Sequence, residues 1–169
     1  MGYGAPDTMT EEQMLLNAVQ NLQTWRRQGQ RAAHKPLLLL LALGRIQRNE
    51  PRLASFLELE PRLVSLLKSH GQVRSTPHAG YPFWRLQHDG LWEVEVRNRA
   101  EFVLRQSNTD PTLTALRRAD VWGGFVEKYD QLLRARPELL HRIARTLLND
   151  HFPSEKHEAL LTQVGLIID

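Results

Sequence analysis

Arg31, His34 and Lys35 fall within five residues of one another, directly ahead of Pro36 and the apolar run 37–43. Proline is tolerated at the first helical position, where a missing N–H costs nothing, so the spacing predicts a helix that begins at Pro36 with three basic residues at its entrance. Free backbone N–H groups, the positive end of a helix dipole and cationic side chains in one place make an anion site. A second group lies at 74–81, where Arg74 and His78 stand among Ser75, Thr76, Pro77, Ala79, Gly80 and Tyr81, a loop-like stretch free of apolar bulk. Catalytic arrangements fit less well. His141, Asn149 and His151 follow the order of an HNH nuclease, but they lie along or just past one predicted helix, without the β-hairpin such a site needs. Asp89, Glu93 and Glu95 offer the acidic half of a metal nuclease, yet Val96 and Arg97 stand where its lysine belongs. No Gly-rich phosphate loop, HExxH helix or GxSxG elbow occurs. The residues point to anion binding rather than catalysis, with no cofactor and no metal expected.

These groups need a scaffold to position them. The run 37–43 is apolar on every side, too short to span a bilayer and fenced by Lys35 and Arg45, so it is expected to be a buried spine helix. Before it, Thr10, Glu11 and Glu12 open an amphipathic helix in which Leu15, Val19, Leu22 and Trp25 recur at helical spacing, ending in the basic Arg26 and Arg27. After it, Glu60 and Pro61 start a third helix that Gly71 closes. The aromatic stretch 81–86 then reads as a strand, His88, Asp89 and Gly90 as a hairpin turn, and 91–96 as the returning strand, with Trp92, Val94 and Val96 on one face. Phe83, Trp84 and Trp92 are expected in the core, while Arg74, Arg85, Arg97, Arg99 and Arg105 surround this hairpin and supply sequence-independent phosphate attraction. Three helices followed by a hairpin is the order of a winged helix-turn-helix. Further helices are predicted from Asp110 to Arg118, over 125–134, from Pro137 onward and from Ser154 to Gly165. The expected class is α+β: one mostly α-helical domain over residues 1–169 with a small antiparallel β-hairpin sheet and a winged-helix-like N-terminal half.

The bulk numbers agree with a single domain. A chain of 169 residues that is 41% hydrophobic can build a core without metal or disulfide support. Cysteine is absent and 1–10 holds no apolar leader, which favours a cytoplasmic protein. The net charge of +3 comes from 22 basic against 19 acidic residues, so the distribution of charge matters more than its total.

Three segments together, RAAHKPLLLLLALGR at 31–45, HAGYPFWRL at 78–86 and LLNDHFPSEKHEALL at 147–161, resemble the sulfur-binding domain of type IV, HNH-fused restriction endonucleases that recognise phosphorothioated DNA. The resemblance spans most of the chain and implies binding of double-stranded DNA in which sulfur replaces a non-bridging phosphate oxygen. The nuclease domain or subunit of such a system has no counterpart in these residues. Sulfur keeps the negative charge but is larger, more polarizable and a poorer hydrogen-bond acceptor, so a carbon-lined pocket holds it. The same pocket strips a phosphate oxygen of its water without compensation. The resemblance thus implies a sulfur pocket at Pro77, Ala79, Gly80 and Tyr81, with the choice between Pro77 and Pro82 open and Pro77 favoured. It nominates Arg31, His34, Lys35 and Arg74 for the anionic charge, and Ser75, Thr76 and His78 alongside them for phosphate and base contacts, Arg74 being suited to a bidentate contact with guanine. Two other readings compete. One is a general winged-helix DNA binder indifferent to sulfur, and the other an interaction domain for an acidic protein.

Overall fold

A helix with no polar side has to be surrounded, and the fold is arranged to surround it. The computed structural model describes residues 9–22, 24, 26–27, 30–71, 79–102 and 110–168. In chain order these form α1 (Glu11–Gln20), β1 (Arg26–Arg27), β2 (Gln30–Arg31), α2 (His34–Gln47), β3 (Ala54–Ser55), α3 (Phe56–His70) and α4 (Gly80–Arg85). There follow β4 (Trp92–Val96), α5 (Leu113–Arg118), β5 (Val121–Phe125), α6 (Glu127–Ala135), α7 (Pro137–His151) and α8 (His157–Val164). The class is the expected one, mostly helical with a small antiparallel sheet.

α2 is the spine. Every residue from His34 to Ile46 is buried, and α3, α4, α6, α7 and α8 all pack against it. The approach of α8 is so close that a Cβ on Gly44 would collide with the Val164 carbonyl. The buried apolar side chains of α1 through α8 and the sheet form one cluster around this helix. Among the described residues, no helix is long and apolar enough to cross a membrane.

Several boundaries differ from expectation for identifiable reasons. α2 starts at His34, so Pro36 is its third residue; the first four helical N–H groups have no intrahelical acceptor, and proline is as harmless there as at the first. α1 stops at Gln20, where the Asn21 side chain donates to the Asn17 carbonyl at 2.7 Å; Arg26 and Arg27 belong instead to a strand paired with Gln30 and Arg31. α3 starts at Phe56, not Glu60, because Ser55 caps it: its Oγ accepts from the Glu58 N–H at 3.1 Å, leaving Pro61 inside the helix. α5 is capped by Thr112 in the same way, Oγ1 accepting from Ala115 N–H.

The largest correction concerns 81–86. This stretch is not a strand but the helix α4, continued by a 3-10 turn over Leu86–Asp89 and closed by Gly90 at φ +75°. Aromatic residues suit strands, but here Ala79, Phe83 and Leu86, spaced four and three apart, are all buried, the period of a helix face. Phe83 lies between Phe56 and Trp92, with ring centroids 5.0 and 6.1 Å away. β4 therefore has no partner immediately before it. It pairs with β5, Trp92 opposite Phe125 and Val96 opposite Val121, in a sheet of order β3-β5-β4. The hairpin behind the winged-helix order is not formed, although Trp92 is buried and Glu93 and Glu95 are exposed as expected.

Candidate nucleic-acid interface

The first turns of α2 and α4 meet. The His34 ring sits edge-on to Tyr81, with centroids 5.8 Å apart and planes at 66°. One helical turn beyond Tyr81, the Arg85 guanidinium lies 4.7 Å from the Tyr81 ring centroid and its Nε donates to Asp110 Oδ2 at 2.8 Å. Burial opposes the charge on Arg85, but the hydrogen bond and charge of Asp110, with Tyr81 adding to them, more than offset it and hold the guanidinium pKa above its ordinary value. Arg85 is a cation throughout any working pH range.

Beside this row, Lys35 Nζ donates to Asp89 Oδ2 at 2.6 Å, and the two side chains are only 4% and 2% exposed. Asp89 ends the 3-10 turn that follows α4, so the ion pair ties the start of α2 to the far end of the α4 segment. Two charges taken out of water gain little net stability from each other, yet removing either one leaves the other buried without its counter-charge. The pair thus fixes geometry more than it adds stability.

The sequence-predicted residues divide accordingly. His34 and Lys35 form the start of α2 and are buried, Lys35 turned toward Asp89. Ala79 and Gly80 are buried at the start of α4 and Tyr81 is half-buried, so the small residues of the expected pocket lie against the spine helix. Pro82, the rival to Pro77, is buried in the first turn of α4 instead of shaping the entry to a strand. Arg31 lies in β2, its backbone opposite Arg26. Arg74, Ser75, Thr76, Pro77 and His78 lie outside the described residues. The structure thus brings His34 together with Tyr81, and adds Arg85, Asp110 and Asp89 as neighbours. Arg85 is among the arginines expected to attract phosphate, but only a helical reading of 81–86 predicts its contact with Tyr81, since residues four apart on a helix touch; Asp89, read as a turn residue, carried no signal of its pairing.

Of the other arginines around the predicted hairpin, one is visibly engaged. Arg97 stacks on Trp122 at 3.8 Å and pairs with Glu95, Arg99 is exposed, and Arg105 is outside the described residues. His141, Asn149 and His151 all lie on α7. Among the described residues, no group of histidine and carboxylate side chains is placed to hold a metal ion. What the α2–α4 junction offers is a half-buried aromatic ring beside a partly exposed guanidinium, next to the buried Ala79 and Gly80. That suits a group that is negatively charged yet weakly hydrated.

A family model described as ScoMcrA-like, DNA sulfur-binding domain, matches residues 12–169. The chain is similar to the sulfur-binding domain of ScoMcrA complexed with phosphorothioated DNA, with 31% identity, a TM-score of 0.79, and coverage of 94% of this chain and 97% of that one. It is similar to the sulfur-binding domain of SprMcrA complexed with phosphorothioated DNA at 26% identity and TM-score 0.76, covering 93% and 95%. In the type IV phosphorothioation-dependent restriction endonuclease ScoMcrA, the similarity reaches 28% identity and TM-score 0.75 over 94% of this chain and 32% of that one. No curated protein matches at a significant level.

Proposed function

This chain belongs to the ScoMcrA-like DNA sulfur-binding domain family, and we propose that it reads phosphorothioate-modified double-stranded DNA as the recognition module of a modification-dependent restriction system. The observation that carries the proposal is the contact between His34 and Tyr81, which sets the cation-bearing start of the spine helix against the small and aromatic residues 79–81. In this reading Ala79, Gly80 and Tyr81, with Pro77 ahead of them, form the apolar wall against the sulfur. A phosphate oxygen placed there loses its hydration and gains nothing in return, which is the basis of selectivity. Arg31, His34 and Arg74 meet the modified and neighbouring phosphates; Lys35, named with them from the sequence, is matched by Asp89 and serves by holding the start of α2 to the α4 segment. Ser75, Thr76 and His78 complete the phosphate and base contacts, and Arg74 suits a bidentate contact to guanine.

In this reading residues 1–169 act as one recognition unit in the cytoplasm, and cleavage is the work of a nuclease domain or subunit. A general winged-helix binder lost its main support when 81–86 proved helical.

The deciding measurement compares matched duplexes with and without one sulfur. Modified DNA is expected to bind at least tens of times tighter, with one sulfur stereoisomer preferred because the wall faces a single oxygen position. Pro77→Glu is expected to abolish the preference, whereas Arg31→Ala weakens both duplexes alike and flattens the salt dependence. Equal binding of the two duplexes by the wild-type protein would refute the proposal.

A further inference from the structure

Two ion pairs flank the His34–Tyr81 contact, and they differ in exposure. Lys35 and Asp89 are sealed at 4% and 2%, whereas the Arg85 and Asp110 side chains are 44% and 30% exposed. A sealed pair cannot change partners without opening the core. A wet one can, because an exposed ion pair is worth little and either member readily takes another counter-ion.

We propose that Asp110 is an internal stand-in for a DNA phosphate, and that Arg85 exchanges the Asp110 carboxylate for a backbone phosphate oxygen when DNA binds. The inference rests on the DNA-reading function above and names a contact and a competitor within that site. Arg85 is singled out from the other surface arginines by Tyr81: the guanidinium lies over a ring that itself touches His34, so it is already held at the site. Stacking restrains the guanidinium whichever anion it holds, so little orientational freedom is lost on exchange. The present partner is a carboxylate at 2.8 Å from Nε, and a phosphate can present a pair of anionic oxygens to the same guanidinium. Asp110 thus competes with a phosphate for Arg85, which restrains binding of any duplex.

Binding is followed across a salt series on modified and unmodified duplexes with the wild type, Arg85→Ala, Asp110→Asn and the double variant. Asp110→Asn is expected to tighten both duplexes about two- to fivefold, the range of an exposed pair. Arg85→Ala is expected to weaken both about tenfold and to lower the salt slope by about one ion. In the Arg85→Ala background, Asp110→Asn is expected to lose most of its effect. If its gain persists there undiminished, Asp110 acts as a distant charge and the exchange is wrong; it is equally wrong if Arg85→Ala leaves both affinities unchanged. A wild-type protein that binds both duplexes equally overturns the sulfur reading alone, and the exchange is then judged on unmodified DNA by the same four proteins.

Discussion

At the scale of single residues, the chain places a lysine and an aspartate in its interior and relies on each to make the other tolerable. Lys35 and Asp89 are 54 positions apart in sequence, and their 2.6 Å contact holds the start of α2 to the turn after α4. Asp89→Asn leaves an ammonium buried without its counter-charge, and the expected loss is about 3–5 kcal/mol of unfolding free energy, read by urea denaturation at neutral pH. Replacing both groups by carbon, Lys35→Met with Asp89→Leu, is expected to recover most of that loss. The partly exposed Arg85–Asp110 pair is expected to behave differently, Asp110→Asn costing less than about 1 kcal/mol of stability. Recovery of stability by the double variant, without recovery of DNA affinity, would show that the ion pair shapes the site as well as supporting the fold.

At the scale of elements, the site depends on how α4 is wedged between the spine and the sheet. Phe83 on α4 touches Phe56 on one side and Trp92 on the other, and Gly123 in the central strand leaves room for both rings. A Cβ on Gly123 would lie 2.8 Å from Trp92 Nε1 and 2.9 Å from the Phe83 ring. Gly123→Ala is therefore expected to push Phe83 and α4 away from β5, cost about 1–3 kcal/mol, and weaken sulfur selectivity together with stability. Thermal melting and the duplex comparison check both effects. Ser55→Ala, which removes the α3 cap but adds no atom against the Phe56 or Phe83 ring, is expected to cost about 1 kcal/mol and leave selectivity unchanged. Parallel loss of selectivity in both variants would mean that the site follows global stability and not the position of α4.

At the scale of the whole molecule, many cations are committed to the fold. Arg45 binds Glu50, Glu58 and the Pro51 carbonyl, Arg48 binds Glu50 and the end of α8, and Arg134 joins Asp130 to the Glu50 carbonyl. Glu50 sits at the centre of this network. Burial works against its ionised form, but the Arg48 hydrogen bond and charge, with Arg45 and Arg62 behind them, hold its pKa below the ordinary 4.5. A carboxyl whose pKa is depressed in the folded state contributes stability above its unfolded pKa and loses that contribution as pH falls through the folded one. Stability is therefore expected to decline as pH drops below about 4.5, and Glu50→Gln is expected to start from a lower plateau and decline less steeply. Urea midpoints measured between neutral and strongly acidic pH check this.

The sequence by itself determined the buried spine, the α+β class, the alternation of β4 and the family. An all-apolar run admits no exposed face, a period-two pattern admits one strand geometry, and the strings at 31–45 and 78–86 are distinctive as a pair. It gave β4 the wrong partner, because β5 reads VWGGF and its two glycines mask a strand that is set by pairing with β3 and β4 and by the close approach of Phe83, Trp92 and Arg52. It misplaced α4 for a related reason: aromatic residues suit strands and buried helices alike, and long-range contacts with Phe56 and α2 settle the choice. The pairing of Lys35 with Asp89 and of Arg85 with Asp110 was likewise decided only by tertiary structure, since charges 54 and 25 positions apart have no local signature.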